Sequence, residues 1–183
     1  MQVTATALAD VKIVEPVRYG DDRGYFRETF NATRFAKTGL PDVFVQDNHS
    51  WSAEVGTLRG LHFQTPPFAQ SKLVWVLNGA ILDVAVDIRR DSPDFGRHVA
   101  VELRAGDGKL LFVPKGFAHG FVTIAPNTEV HYKVDASYAP DHDAGLAYDD
   151  PDLGIDWPDL GRPYVLSNKD EKQPAFAGFA SPF

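Results

Sequence analysis

The sequence of 183 residues contains no cysteine, which excludes disulfides, thiolate nucleophiles and cysteine-ligated metal centres. It also lacks any apolar run close to the roughly 18 residues that a membrane-spanning helix requires. Its first residues, MQVTATALADVKIVEP, do not combine a basic segment with a following apolar block, as a secretory signal does. We therefore expect a soluble, cytoplasmic protein.

Positive charge is also scarce, because 18 lysines and arginines stand against 25 aspartates and glutamates, giving a net charge of -7. Nucleic acids and anionic membranes bind to basic surfaces, so neither is expected as a partner. An anionic small molecule would instead need cations gathered at one place. The candidates are Arg23, Arg59, Lys72 and Lys169.

Helical signals are few. A single short helix is predicted over Ala32 to Lys37, capped by Asn31 and ended by Gly39 and Pro41. The 13 prolines and 15 glycines lie between short β-branched and aromatic runs, a pattern typical of strands joined by turns. We predict an all-β fold in one domain spanning residues 1–183, with an irregular segment from about residue 149.

The segment KLVWVLNGAILDVAVDI predicts a hairpin, because Asn78-Gly79 suits a two-residue type I′ turn. Pairing outward from this turn makes Lys72 and Asp83 diagonal neighbours on one face. The other face is wholly apolar and contains Leu73, Trp75, Leu82, Val84 and Val86. A face that mixes apolar residues with a lysine and an aspartate favours a barrel lumen that holds a polar ligand.

Two segments have the spacing of cupin barrel motifs. A glycine, five residues and His62 begin the first, while a glycine, five residues and PKGFAH, ending at His119, give most of the second. Metal-binding cupins complete their site with a second histidine and a carboxylate in the first motif, near the positions that Gln64 and Lys72 occupy here. An ammonium group repels a divalent cation, so the sequence predicts no catalytic metal.

Without a metal to bind, His62 can act as a general base, since its ordinary pKa lies close to neutral pH. The segment RGLHFQ places an arginine and a glutamine beside it, with Lys72 on the next strand, and this grouping favours a functional role over a structural one. Tyr132 alternates with two valines and therefore shares their buried face. Taken alone, its position would indicate core packing.

A series of blocks along the chain resembles, in order, the signature blocks of the dTDP-4-dehydrorhamnose 3,5-epimerases. They are DDRGYFRETF, QDNHSWS, GTLRGLHFQ, QSKLVWVLNGAILDVAVDIR, SPDFG, VPKGFAHGF, VHYKVDASYAP, DDPDLGIDWP and LSNKD. The resemblance implies a homodimeric cupin jelly-roll β-barrel that needs no cofactor. It also implies an isomerase that inverts C3 and C5 of dTDP-4-dehydro-6-deoxy-D-glucose to give dTDP-4-dehydro-L-rhamnose, an intermediate of cell-surface rhamnose synthesis.

The resemblance further implies a role for each matching residue. His62 is expected to remove the proton α to the ketone, with Asp170 paired to its imidazole. Tyr132 is expected to protonate the opposite face, which inversion requires, and Lys72 to stabilise the enolate.

Substrate contacts are also expected by similarity. Arg59 and His119 would hold the sugar and diphosphate, and Lys169 would add a further contact. The nucleotide would meet a strand and an aromatic side chain, supplied by Gln46, Asp47, Asn48 and Tyr138. Asp143 stands where many relatives have glutamate, and a water could bridge the shorter side chain to the ligand. A partner subunit would contribute Arg23, Phe26 and Glu28.

Three alternatives remain open from the sequence. An antibiotic-sugar epimerase that inverts only one carbon would carry almost the same residues. A metal-dependent cupin oxygenase would contain a stoichiometric transition metal. A sugar-nucleotide binding module would have no need for the combination of His62, Tyr132 and Asp170.

Overall fold

The computed structural model describes residues 1–183 and is built mainly from antiparallel strands. One α-helix, α1, spans Ala32–Ala36, and short 3-10 turns lie at Pro140–His142 and Asp170–Lys172. The strands are β1 Gln2–Ala5, β2 Lys12–Glu15, β3 Arg18–Asp21, β4 Gly24–Arg27, β5 Gln46–Ser52, β6 Leu58–Gln64, β7 Lys72–Asn78, β8 Ala80–Asp87, β9 His98–Arg104, β10 Leu110–Val113, β11 Phe117–Thr123, β12 Thr128–Val134 and β13 Asp143–Gly145.

These strands form two large sheets and one small one. The six-stranded sheet has the order β1-β2-β10-β7-β12-β5, and the five-stranded sheet has the order β13-β6-β11-β8-β9. Strands β3 and β4 form a separate two-stranded sheet. The chain crosses repeatedly between the two large sheets, so the all-β prediction and the jelly-roll architecture are confirmed, with two facing sheets in place of a closed barrel.

The central core lies between the two large sheets. Its side chains come from alternate positions of strands in both, because successive residues of a strand point to opposite faces. Val74 and Val76 of β7 meet Ile81 and Ala85 of β8 in this cluster, and Tyr132 packs against its edge. The alternation predicted for residues 72–86 is therefore confirmed, but Lys72 and Asp83 are not neighbours within one sheet. The residues of the predicted apolar face are divided between the outer faces of the two sheets.

Each large sheet is covered on its outer face. Helix α1 buries Phe35 against Trp75 and other residues of the six-stranded sheet. As predicted, Asn31 caps the helix, since its Oδ1 accepts a hydrogen bond from the Arg34 backbone N–H at 3.1 Å. No helix has both the length and the apolar character needed to cross a membrane.

The outer face of the five-stranded sheet is covered by the last part of the chain. From residue 149 onward this part forms no strand, and its Phe176, Phe179 and Phe183 pack against a cluster that contains Phe63. This irregular segment brings Asp170 to the sheet that carries His62.

The predicted hairpin at Asn78-Gly79 is wrong. Strand β7 pairs with β10 and β12, whereas β8 pairs with β9 and β11, so the dipeptide is a corner between two sheets. Gly79 has a φ of 79°, but Asn78 is not among the residues with positive φ that a type I′ turn requires. A Cβ on Gly79 would also lie 2.3 Å from Thr128 Oγ1, so glycine is required at this corner.

Candidate active site

Two adjoining cavities open between the sheets, with volumes of about 260 and 250 Å³. Three residues line both of them: His62, Lys72 and Tyr132. The outer cavity is completed by Gln46, Asn48, Phe63, Gln64, Gln70, Tyr138, Asp143 and Lys169. The inner cavity is completed by Ser50, Arg59, His119, Phe121, Ser167 and Asp170. The structure therefore brings together most of the residues that the sequence singled out.

His62 and Asp170 form a hydrogen-bonded dyad, with 2.6 Å between His62 Nε2 and Asp170 Oδ1. A carboxylate at this position accepts hydrogen bonds only, so the imidazole donates its Nε2–H and keeps its Nδ1 lone pair free. Two further donors hold the carboxylate, namely Ser167 Oγ at 2.7 Å and the Gly60 backbone N–H at 3.3 Å. The dyad thus fixes the tautomer and orientation of the imidazole.

Burial lowers the pKa of His62 to about 4, with help from the positive charges of Lys169 and Lys72, while Asp170 opposes the shift. The imidazole is consequently neutral at neutral pH and can accept a proton at Nδ1.

Lys72 is the first residue of β7, and its side chain extends into the junction of the two cavities. Burial lowers its pKa to about 8, although the carboxylates of Asp83 and Asp143 act in the opposite direction. Its Nζ lies 3.5 Å from His119 Nδ1, and His119 Nε2 lies 2.5 Å from Asp83 Oδ1. A cationic group therefore stands where charge can develop on a bound ligand.

Tyr132 lies on β12 between Val130 and Val134, which are both buried. Burial raises the pKa of its phenol, so the hydroxyl keeps its proton at neutral pH. Nearby, Arg59 makes only long hydrogen bonds, to Trp51 O at 3.4 Å and Ser52 Oγ at 3.3 Å, and it can turn toward an anion.

The mouth of the outer cavity carries polar and aromatic side chains. Asp143 Oδ2 accepts hydrogen bonds from the Tyr138 hydroxyl at 2.9 Å and from Lys169 Nζ at 2.5 Å. Gln46 joins this group, because its Oε1 accepts from the Tyr138 backbone N–H at 3.0 Å and its Nε2 donates to Asn48 at 2.8 Å. The exposed Tyr138 ring is thus held at the cavity entrance.

Four of the singled-out residues lie outside both cavities. Asp47 points to the opposite face of β5, where it pairs with Lys133 at 2.7 Å. Arg23 pairs with Asp21, and Glu28 contacts Arg34 at 3.3 Å. Phe26 is 69% exposed on the β3–β4 hairpin. The roles expected for these residues stay predictions.

Sequence reasoning missed one residue that supports the site and the structural contacts of another. Ser167 both donates to the Asp170 carboxylate and accepts from its backbone N–H, as in a Ser-x-x-Asp capping pattern that was visible in the sequence. Gln64 is buried and bonds through its amide to the backbone of Phe68, Ser137 and Ala139. No local signal could have predicted this long-range role.

No group of three or more histidine, aspartate or glutamate side chains is arranged to hold a metal ion. A larger cavity of about 610 Å³ lies elsewhere, lined by residues that include Arg89 and Lys115. Arg89 is paired there with Asp10 at 2.7 Å and Asp87 at 2.6 Å, so its charge is already satisfied within the protein.

Comparison with known proteins gives a consistent result. The family model described as dTDP-4-dehydrorhamnose 3,5-epimerase matches residues 5–178. A dTDP-4-dehydrorhamnose 3,5-epimerase of Sinorhizobium fredii is 50% identical over 96% of this chain and 89% of its own length. The crystal structure of the Bacillus anthracis enzyme, with TDP and PPi bound, matches with a TM-score of 0.91 and 49% identity, covering 96% of this chain and 99% of that one.

A Legionella pneumophila 3,5-epimerase in complex with dTDP-4-keto-L-rhamnose has a TM-score of 0.92 and 43% identity, covering 98% of this chain and 94% of that one. A 3′-monoepimerase from Streptomyces bikiniensis, bound to dTDP-quinovose, reaches a TM-score of 0.88 at 33% identity, over 94% of this chain and 87% of that one. The match along nearly the whole length, together with the shared fold, leads to one conclusion: the chain belongs to the dTDP-4-dehydrorhamnose 3,5-epimerase family.

Proposed function

We propose that the protein converts dTDP-4-dehydro-6-deoxy-D-glucose into dTDP-4-dehydro-L-rhamnose by inverting C3 and C5. The observation that carries this proposal is the convergence of His62, Lys72 and Tyr132 on the junction of two cavities, with Asp170 behind the imidazole. These are a base, a cation and an acid, which are the groups that epimerisation next to a ketone requires.

In the first step, His62 Nδ1 removes the proton from the carbon next to the C4 ketone. The electron pair of the broken C–H bond forms the enolate, and negative charge moves to the ketone oxygen. Lys72 stabilises this charge in a site that is largely removed from water, where an ion pair is stronger than in solution. Asp170 stabilises the imidazolium that forms at the same time.

In the second step, Tyr132 donates its phenolic proton to the same carbon from the opposite face. A phenol is protonated at neutral pH, and burial, which raises the pKa of Tyr132, keeps it so, so that it has a proton to give. Return of a proton from His62 would restore the starting configuration, so inversion needs two groups. Solvent then reprotonates the phenolate and removes the proton from the imidazolium. The cycle applies to each carbon in turn.

The outer cavity supports binding of the nucleotide diphosphate. Lys169 supplies positive charge there and Arg59 supplies it in the adjoining inner cavity, while Tyr138 offers an exposed ring on which a base can stack. Gln46 and Asn48 offer amide groups for hydrogen bonds to the base. These cations account for an anionic ligand in a protein whose net charge is -7.

A homodimer would complete the site. The β3–β4 hairpin forms its own small sheet and exposes three aromatic residues, Tyr19 at 56%, Tyr25 at 52% and Phe26 at 69%. Exposed aromatic groups of this kind are typical of an interface. In such a dimer the hairpin would bring Arg23, Phe26 and Glu28 to the partner's cavity.

The test is ¹H NMR of the substrate with the enzyme in deuterated water. Deuterium should enter at C3 and C5, and the inverted product should form. His62→Ala should lower turnover by roughly a hundred- to ten-thousand-fold. The control is His98→Ala, since His98 lies on β9 and bonds to Leu153 O at 3.1 Å, away from both cavities. Exchange at one carbon only would favour a monoepimerase, the activity of the Streptomyces bikiniensis relative.

A further inference from the structure

Asp83 is a buried carboxylate whose presence the fold alone does not explain. It is 0% exposed on β8, with Oδ1 bonded to His119 and Oδ2 without any partner. A buried ion is strongly destabilising unless its atoms are fully paired. Asp87, on the same strand and also 0% exposed, satisfies both oxygens with Arg89 and Ser92. Of these two buried aspartates, Asp83 is therefore the one with an oxygen that lacks a hydrogen-bond partner.

The register of the five-stranded sheet places Asp83 next to His119, and His119 lines the inner cavity. Phe121 of β11 pairs with Asp83, and His119 pairs with Ala85 two positions farther along β8. His119 Nε2 lies 2.5 Å from Asp83 Oδ1, and His119 Nδ1 lies 3.5 Å from Lys72 Nζ. Because the carboxylate only accepts, the ring donates Nε2–H and leaves Nδ1 to accept from the ammonium of Lys72.

We propose that Asp83 is a positioning residue for Lys72, acting through His119 to keep the lysine ammonium charged and directed at the ketone oxygen of the substrate. The proposal rests on the enolate-stabilising role of Lys72 given above. It assigns both ring nitrogens of His119 to contacts within the protein, so that His119 acts on the reaction by way of Lys72.

The charge of Lys72 depends on Asp83 because of the other groups that surround the ammonium. The titratable and charged groups around it are Arg59, His62, Asp83, His119, Tyr132, Tyr138, Asp143, Lys169 and Asp170. Burial lowers the pKa of Lys72 to about 8, Asp83 is the largest opposing influence, and Lys169 lowers the pKa further. Asp143 also opposes the shift, but its carboxylate is bonded to Lys169 and Tyr138 at the cavity mouth. Loss of the Asp83 charge should therefore lower the pKa of Lys72 further below its ordinary value.

The experiment compares the parent protein with Asp83→Asn and with the control Asp87→Asn. Asparagine keeps an oxygen that can accept from His119 and removes only the charge. The pKa of Lys72 is measured by NMR titration of protein labelled with ¹³C-lysine, with the Lys72 signal assigned through Lys72→Arg. Asp83→Asn should lower this pKa by about 1 unit or more. It should also move the basic limb of the kcat profile to lower pH and leave the Kd for dTDP within about two-fold.

Asp87→Asn should change stability but neither the Lys72 titration nor the basic limb. An unchanged Lys72 pKa in Asp83→Asn overturns the proposal. The titration of Lys72 needs no turnover. A parent protein without epimerase activity would therefore overturn the proposed function, whereas the effect of Asp83 on the Lys72 pKa would still be measured.

A second pair of variants covers the case in which Asp83→Asn does not fold. His119→Gln can still donate to Asp83 and accept from Lys72, whereas His119→Leu can do neither. The leucine variant should lose at least about ten-fold in kcat, and the glutamine variant should lose clearly less because its amide can keep both contacts. Equal kcat losses, or a raised Kd with kcat retained in both, would show that His119 does not act through Lys72.

Discussion

Replacing Asp170 by asparagine removes the negative charge of the dyad while keeping its hydrogen-bonding geometry. The carboxylate is met by three donors: His62 Nε2, the Gly60 backbone N–H and Ser167 Oγ. An asparagine can keep its oxygen toward the first two and turn its NH₂ toward Ser167, because that hydroxyl can also accept. The imidazole should then keep its tautomer and lose only its anionic partner.

The expected magnitude follows from that loss. A hydrogen bond to a charged group contributes about 1.5–3 kcal/mol, and this one strengthens as the imidazolium forms. If that contribution is lost from the transition state, turnover should fall roughly 10- to 150-fold. Asp170 also raises the pKa of His62 against the stronger effect of burial, so its loss should lower that pKa further and weaken the base.

The assay is the rate of deuterium incorporation in deuterated water, measured together with product formation. The matched control is Asp150→Asn, which changes another buried carboxylate of the same irregular segment. Asp150 accepts from the backbone N–H groups of Asp152 at 2.9 Å and Phe176 at 2.7 Å, and it lines neither cavity. Exchange at the parent rate by folded Asp170→Asn would show that the carboxylate does not assist the base.

Four further predictions address the acid, the pH profile, the metal and the dimer. Tyr132→Phe should incorporate deuterium from solvent while forming little inverted product, because His62 can still remove and return a proton on its own face; an equal loss of exchange and inversion would argue for a binding role instead. The kcat should fall above about pH 8, since Lys72 must be protonated and rising pH through its lowered pKa of about 8 removes the charge; on the acid side His62 should stay neutral down to about pH 4. Dialysis against a chelator should leave activity intact, and restoration of lost activity by one divalent metal would contradict this. Phe26→Asp should weaken self-association in analytical ultracentrifugation and lower activity, and a fully active monomer would refute the shared site.

The sequence was sufficient for the features that depend on neighbouring residues. The capped helix after Asn31 and the inward faces of β7, β8 and β12 follow from local capping and from the two-residue period of strands. The Asn78-Gly79 corner was mispredicted because a turn signal specifies a local bend and not the sheet to which the next strand is added. That choice is made by β10, β11 and β12, which lie later in the chain.

In the site, too, local features could be predicted from the sequence and long-range contacts could not. His62 could be singled out from RGLHFQ, but its link to Asp170 spans 108 positions in sequence and no period of the chain encodes it. Asp83 was predicted to face the lumen, whereas its bond to His119 depends on the register between β8 and β11. Similarity supplied the His62–Asp170 pair, which local physics could not, but it did not supply the pair of Asp83 and His119.

The position of Asp170 has a consequence for synthesis. The last strand of the fold ends at Gly145, and Asp170 follows it on a segment without strands. A chain emerging from the ribosome in order, N-terminus first, has therefore produced every strand of both sheets before the carboxylate of its dyad. Until that segment is in place, the inner cavity lacks Ser167 and Asp170, and His62 Nε2 lacks its acceptor. Catalytic competence therefore depends on the last part of the chain to be synthesised reaching the sheets.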